Sequence, residues 1–255
     1  TLQHLGFKRA RTKPEKMKQF LHKRIKKALG PDYDRASFTP PYDPWDQRLC
    51  LIPDDDLFEA MKQGRADIVT GHIAAFEKGG VRLKDDSHLP ADIVVTATGL
   101  KLAVAGKIAI SQDGTPVDLA ERFYYKGCMF SNLPNLAVVF GYLNASWTLR
   151  SDINADFICR VLEQMRQTGA TIAEPVLAAD HDLVEDDIFD FSSGYIQRSK
   201  HLMPRNAVAY PWRLNQEYVT DRKRMANDPI ADGILELRRP DDAASDKEMA
   251  RLEPA

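Results

Sequence analysis

Ala91-Asp92-Ile93-Val94-Val95-Thr96-Ala97-Thr98-Gly99 is the stretch on which the reading of this fold turns. Its β-prone residues, bounded by Asp92 and Gly99, predict a buried strand running into a tight turn, the kind of strand end that lines a cofactor crevice in an α/β sheet. The glycine-rich GxGxxG cradle that accompanies such a strand in a nucleotide-binding protein occurs nowhere in the 255 residues. A strand of this kind without its phosphate cradle predicts that the chain is one part of a larger nucleotide-binding protein. A first residue of Thr1 in place of Met fits the same expectation.

Composition sets the outer limits. A hydrophobic content of 44% is ample for a core, and the length allows one large or two small domains. A formal net charge of -2 gives no global attraction to nucleic acid or to an anionic membrane. Cys50, Cys128 and Cys159 are widely spaced and form no CxxC, so neither a disulfide framework nor a zinc knuckle is indicated, and a reducing cytoplasm is the default expectation. No apolar run approaches the ~18 to 20 residues of a membrane span, and no signal-peptide order opens the chain.

Outward from the central stretch, the N-terminal segment is strongly basic: Lys8, Arg9, Arg11, Lys13, Lys16, Lys18, Lys23, Arg24, Lys26 and Lys27. Met17, Phe20, Leu21, Ile25 and Leu29 recur at helical spacing within it, which predicts an amphipathic helix. Thr12-Lys13-Pro14-Glu15 supplies a capping-box pattern and Gly30-Pro31 a stop. A solvated basic face is the plainer reading of the charge, and a polyanion contact the alternative. Prolines and aromatics over residues 32–53 predict a structured loop, followed by a short helix over 54–63 closed by Gly64. A small β-meander then leads into the central stretch, through Ile68-Val69, Ile73 to Phe76 and Val81 to Leu83. Asn135 to Phe140 predicts a second buried strand ending at Gly141, then a polar turn over 142–146 and a long helix to Gln167 closed by Gly169. Strand, glycine turn and helix describe half of a nucleotide-binding crossover. The carboxylates between Asp180 and Asp190 read as solvated surface, and the charged residues after Asn227 as a mobile tail.

Arg48 sits in Pro41-Tyr42-Asp43-Pro44-Trp45-Asp46-Gln47-Arg48-Leu49-Cys50, a loop too constrained to be a linker. A fixed guanidinium can hold a phosphate or stabilise an oxyanion at any working pH, although pairing with Asp43 or Asp46 is the plainer reading. Trp45 and Trp147 read first as packing anchors, Asn144 and Ser146 as caps of the following helix, and His4, His22, His72, His88, His181 and His201 as surface residues.

Four segments together carry a resemblance: Phe38-Thr39-Pro40 through Pro44-Trp45-Asp46-Gln47-Arg48-Leu49-Cys50; Ala91 to Leu100; Pro134-Asn135-Leu136 through Gly141-Tyr142-Leu143-Asn144-Ala145-Ser146-Trp147-Thr148-Leu149; and Ser193-Gly194-Tyr195-Ile196-Gln197-Arg198 with Pro211-Trp212-Arg213. In this order they resemble the class B flavoprotein monooxygenases, the flavin-containing and Baeyer-Villiger monooxygenases, and most of all the bacterial branch that includes the ethionamide-activating enzyme. The resemblance runs from about residue 1 to 225.

It implies an α/β protein, here the C-terminal half of a flavoprotein with two dinucleotide-binding domains. Residues 1–99 would be the end of the NADPH-binding domain, 100–226 the end of the FAD-binding domain, and 227–255 a charged tail. It also implies FAD and NADPH as cofactors, O2 as oxidant, and a C4a-peroxyflavin that attacks a small ketone, thioether or amine. Arg48 aligns with the family's active-site arginine. Thr98 and Gly99 would lie where the NADPH domain rejoins the FAD domain, and Asn144, Ala145, Ser146, Trp147 and Thr148 against the isoalloxazine ring. The family's two GxGxxG motifs, and the FxGxxxH-type fingerprint between them, are absent. Leu143 stands where the resemblance leads to a small polar residue. Taken alone, the chain is expected to bind FAD poorly. Two other readings stand beside this one, a non-catalytic remnant or binding module and a two-domain flavin reductase.

Overall fold

The computed structural model describes residues 2–50, 52–188 and 192–239. The chain is of mixed helix and strand, with small open sheets whose ladders are all antiparallel among the described residues. It divides into two compact units, residues 1–100 with 191–194, and 101–190 with 195–255.

The first unit opens with two helices, α1 (Leu2–Thr12) and α2 (Pro14–Leu29). The capping-box expectation fails: Thr12 is the last residue of α1, its hydroxyl donates to the Lys8 carbonyl at 2.8 Å, and the α2 N-cap is Lys13 without a side-chain cap. Pro14 begins α2 because a first-turn residue needs no N–H, and Gly30 ends it at φ 99°, a conformation open to glycine. No residue of α2 is buried, and Phe20 of the predicted apolar stripe is 53% exposed. A single 3-10 turn leads into α3 (Asp56–Lys62), where the sequence places a helix.

The meander follows as β1 (Ile73–Glu77), β2 (Gly80–Leu83) and β3 (His88–Pro90), in the order β1-β2-β3. Ile68 and Val69 precede it as irregular chain. Gly80 is obligatory there: its φ is 148°, and a Cβ would stand 2.0 Å from the Leu89 carbonyl oxygen. Val81 and Leu83 are buried by the sheet.

The central stretch differs from its expectation. Residues 91–100 form no strand, and Ile93, Val94 and Val95 are 83%, 45% and 83% exposed. A strand needs a ladder partner for its backbone groups; the Ala91 N–H still reaches the Gly79 carbonyl at 3.0 Å, but no ladder among the described residues takes in Ile93, Val94 or Val95. Asn135 to Phe140 is likewise not a strand, although the Asn135 N–H bonds to the Ala173 carbonyl at 2.9 Å and the Val138 N–H to the Cys128 carbonyl at 2.7 Å.

The second unit contains short hairpins in a region that the sequence reads as irregular: β4 (Ser111–Gln112) with β5 (Thr115–Pro116), and β6 (Tyr124–Tyr125) with β7 (Met129–Phe130). The second hairpin enters the core directly, with Tyr124, Tyr125, Met129 and Phe130 all buried. Beside it runs α4 (Trp147–Thr168), whose buried stripe of Arg150, Ile153, Asn154, Phe157 and Val161 follows the three- and four-residue steps of a helix. Gly169 ends α4 in the left-handed conformation at φ 72°. Further along lie β8 (Ile172–Pro175), α5 (Gly194–Ser199), α6 (Tyr218–Asn227) and β9 (Leu235–Arg238), with β9 paired to β8.

Two asparagines extend that ladder with their side chains. Asn132 exchanges two bonds with Leu177, each 2.9 Å, and Asn135 receives the Ala173 N–H at 2.9 Å while donating to the Thr171 carbonyl at 3.0 Å. Both sit at positive φ, a conformation that asparagine tolerates better than most residues. The charged C-terminal stretch is folded as far as β9, since Asp232 pairs with buried Lys126 at 3.0 Å; residues 240–255 of the expected tail lie outside the described residues. Cys128 is fully buried, and burial pushes its thiol up to about 12, so it is an inert core residue.

Candidate functional site

The Arg48 loop is braced from three directions inside the first unit. The Asp43 carbonyl accepts the Asp46 N–H at 3.0 Å, and the Asp46 carboxylate returns a bond from the Asp43 N–H at 3.1 Å, closing a tight turn around Trp45. Trp45 is buried and meets Phe7 edge-on at 5.4 Å, so it anchors the loop as the sequence leads one to expect. The Asp46 carbonyl accepts both the N–H and the hydroxyl of Ser192, at 2.9 and 3.2 Å, which ties the loop to the residue just before the Ser193 segment.

The expected pairing of Arg48 with its neighbouring carboxylates does not occur. Asp46 pairs with Arg11 at 2.5 Å and Asp43 with Lys18 at 2.6 Å, because the basic helices α1 and α2 supply cations on the loop's other side. Arg48 is exposed and, among the described residues, has no ion-pair partner. It lines a cavity of about 1010 Å³ together with Phe20, Leu21, His22, Phe38 and Trp45. Burial, with Arg35 nearby, lowers the His22 pKa, so the imidazole is neutral at pH 7; it hydrogen-bonds to the Tyr33 hydroxyl at 2.9 Å and is half-buried, not a surface residue. The larger part of the wall is apolar, but Lys18, Arg24, Lys27, Lys62, Asp55 and Glu59 line the space as well, so Arg48 is one of several charges that face it.

Thr98 and Gly99 are exposed and outside this cavity; Gly99 has φ 102°, which suits its expected turn.

Residues 144–148 belong to the second unit. Gly141 and Tyr142 are buried, and a Cβ on Gly141 would stand 2.3 Å from the Trp147 ring, so glycine lets the indole lie against the backbone. Trp147 also contacts Phe140 at 5.0 Å, yet it is 47% exposed. The expected caps are corrected. Asn144 donates to the Gln216 carbonyl at 2.9 Å, and the Ser146 hydroxyl meets that of Thr148 at 2.7 Å, so α4 starts without a side-chain cap. Ala145 packs half-buried against the core. The result is an uncapped helix N-terminus with two exposed hydroxyls and an exposed indole, a surface suited to a planar, electron-rich ligand edge. Leu143 is apolar because it is buried; its N–H donates to Gln216 Oε1 at 2.9 Å.

Sequence reasoning missed the residues that hold this turn: Arg150, Gln216 and Asp221. A lone arginine three residues into a helix carries no motif, although its place on the buried stripe of α4 was a readable signal.

The other charged clusters are structural. Glu185, Asp186 and Asp187 pair with Arg205, Arg213 and Lys200, and no group suited to a metal ion occurs among the described residues. No helix among the described residues is long and apolar enough to cross a membrane.

With this geometry in place, comparison with known proteins shows what the chain is similar to: over most of its length it is homologous to part of several FAD-binding and FAD-containing monooxygenases. It is 40% identical over 241 residues, 94% of its length, to the probable FAD-binding monooxygenase AlmA of Acinetobacter baylyi, covering 48% of that protein. Against the putative FAD-containing monooxygenase MymA of Mycobacterium tuberculosis it is 40% identical over 92% of its length and 47% of the relative's. The FAD-containing monooxygenase EthA of the same species is 40% identical over 89% of this chain and 47% of its own length. The chain thus spans about half the length of the curated relatives it matches. No family model and no solved structure matches it.

Proposed function

We propose that this chain is the C-terminal half of an FAD- and NADPH-dependent monooxygenase acting on a small ketone, thioether or amine. The observation that carries the reading is Arg48: a guanidinium whose adjacent carboxylates are engaged by Arg11 and Lys18, in a braced loop beside a mainly apolar cavity. FAD, reduced by NADPH, would supply the activation of O2. One oxygen atom enters the substrate, giving an ester from a ketone, and the other leaves as water, with NADPH and a proton supplying the electrons and hydrogen.

Within this reading, Arg48 holds its charge through the cycle and offsets negative charge that develops on the substrate oxygen. Residues 144–148 fit one edge of a flavin. The uncapped α4 N-terminus favours an anionic ring edge, the Ser146 and Thr148 hydroxyls can hydrogen-bond to it, and Trp147 offers an aromatic wall. The exposed apolar run at Ile93, Val94 and Val95 supports the two-domain reading, since it has the composition of an inner strand and lacks ladder partners among the described residues. Thr98 and Gly99 then mark the return from the NADPH domain to the FAD domain. The cytoplasm is the compartment that supplies NADPH to such an enzyme.

The test is the visible spectrum of the full-length protein after gel filtration. Bound flavin bleached by NADPH and reoxidised by O2 supports the reading, whereas a colourless protein that FAD does not reconstitute contradicts it. The isolated 255-residue chain is expected to retain little flavin, because it holds no GxGxxG for the pyrophosphate.

A further inference from the structure

Tyr142 to Arg150 is held to the segment 215–221 by a convergent set of bonds. Arg150 is 1% exposed; it pairs with Asp221 at 2.8 Å, donates to the Asn215 carbonyl, and lies over the Tyr142 ring at 4.3 Å. Asp221 is 4% exposed and also accepts from the Tyr142 hydroxyl at 2.7 Å and from Asn215 Nδ2 at 3.0 Å. Gln216 completes the set through its side-chain oxygen to the Leu143 N–H and its carbonyl to Asn144, both at 2.9 Å. Gly127 closes the far side, where a Cβ would lie 3.1 Å from Arg150 Nη1.

These bonds do more than fill a core. Every residue they hold on one side belongs to the turn before α4 or to its first turn: Tyr142, Leu143, Asn144 and Arg150. A buried ion pair adds little net stability over an apolar replacement, yet it fixes geometry, because each charge is costly in any other arrangement. We infer that Arg150, with Asp221 and Gln216, is a positioning residue that sets the orientation of residues 142–148 toward the flavin, an inference that rests on the reading of that turn as the flavin-facing surface. Gln216 acts through the backbone of the turn and Arg150 through Tyr142 and the start of α4. None of the three needs to touch the cofactor.

The comparison that isolates this role is with Arg160. It joins the same helix to the end of α6 through carbonyl bonds to Met225 and Asp228, away from the turn. In the full-length flavoprotein, Arg150→Met and Arg160→Met are compared by thermal unfolding, FAD dissociation constant and the visible circular dichroism of the bound flavin. The expected result is that both lower the melting temperature, while only Arg150→Met weakens FAD by about tenfold or more and alters the flavin dichroism. Arg150→Lys, which keeps the charge and loses the fork, should fall between wild type and Arg150→Met. If Arg150→Met does not fold, Gln216→Leu removes only the bond to the Leu143 N–H and is read by the same two flavin signals. Wild-type FAD affinity and dichroism in Arg150→Met and Gln216→Leu would overturn the positioning role while leaving the flavin reading intact. Loss of FAD from Arg150→Met and Arg160→Met alike, in proportion to lost stability, would also overturn it. A wild-type protein that takes up no FAD would instead overturn the flavin reading, and the positioning role with it.

Discussion

Asp46 stands two residues before Arg48 and pairs with Arg11, at 2.5 Å, not with Arg48. The basic helices therefore take up the loop's carboxylates, and the arginine that lines the cavity is left without a counter-ion among the described residues. An arginine held this way contributes little to folding. The proposed function gives it a role there.

That relationship predicts the effect of losing Arg11. Arg11→Ala in the full-length protein releases Asp46 to approach Arg48, and a carboxylate there would offset the guanidinium's effect on developing negative charge. Turnover is expected to fall about 10-fold or more at little cost in stability, since exposed pairs contribute about 0 to 1 kcal/mol. The double variant Arg11→Ala/Asp46→Asn should recover part of the rate. Steady-state kinetics with a thermal melt checks both, and full activity in Arg11→Ala would refute the arrangement.

Gly141→Ala places a methyl where the Trp147 ring lies, 2.3 Å from it. The ring must move, at about 1 to 3 kcal/mol. Gly141→Ala/Trp147→Ala should be more stable than Gly141→Ala alone if the clash is the cause, which a double-mutant cycle by denaturant unfolding measures directly.

Acid sensitivity has a named source in Asp232. Burial alone would raise its pKa, but bonds from Tyr125, the Leu235 and Ile234 N–H groups and Lys126 outweigh burial and hold it below the ordinary 3.8. Its stabilising contribution is therefore fully present above pH 3.8 and lost as pH falls through the lower folded value. Asp221 behaves oppositely, since burial raises it despite Arg150 and Tyr142, and acidification does not remove its contribution in the same window. Asp232→Asn should flatten the fall in melting temperature below about pH 4, whereas an unchanged acid limb would assign that fall to other carboxylates.

The asparagines that extend the β8 ladder give a further test. Asn132→Ala removes two 2.9 Å bonds to Leu177 at positive φ, and about 2 to 3 kcal/mol is expected from the unpaired backbone and the strain together. Asn132→Asp keeps the acceptor for the Leu177 N–H and should cost less. Urea unfolding of the two variants ranks them.

Helices were the most legible part of the fold, because periodicity and terminal glycines are local signals: α2, α3 and α4 lie where the sequence places them, with Gly30 and Gly169 as their stops. Strands were legible only where both partners lie close in sequence, as in the meander at Gly80. Ile93 to Val95 and Leu136 to Phe140 carry strand composition without a strand, since composition does not supply a ladder partner. The β8–β9 pair escaped for the converse reason: its partners are sixty or more residues apart, and Leu235 to Arg238 looks like part of a charged tail. At the candidate site, Arg48 and Asn144 to Thr148 were read from motifs. Arg150, Asp221 and Gln216 were not, because their role comes from partners brought together only by folding.

The most direct test of the central claim is stopped-flow of Arg48→Ala in the full-length protein, following flavin reduction by NADPH separately from product formation after mixing with O2 and substrate. The account predicts measurable flavin reduction with product formation lowered by about 100-fold or more. Unchanged product formation in Arg48→Ala would contradict it and remove Arg48 from the mechanism.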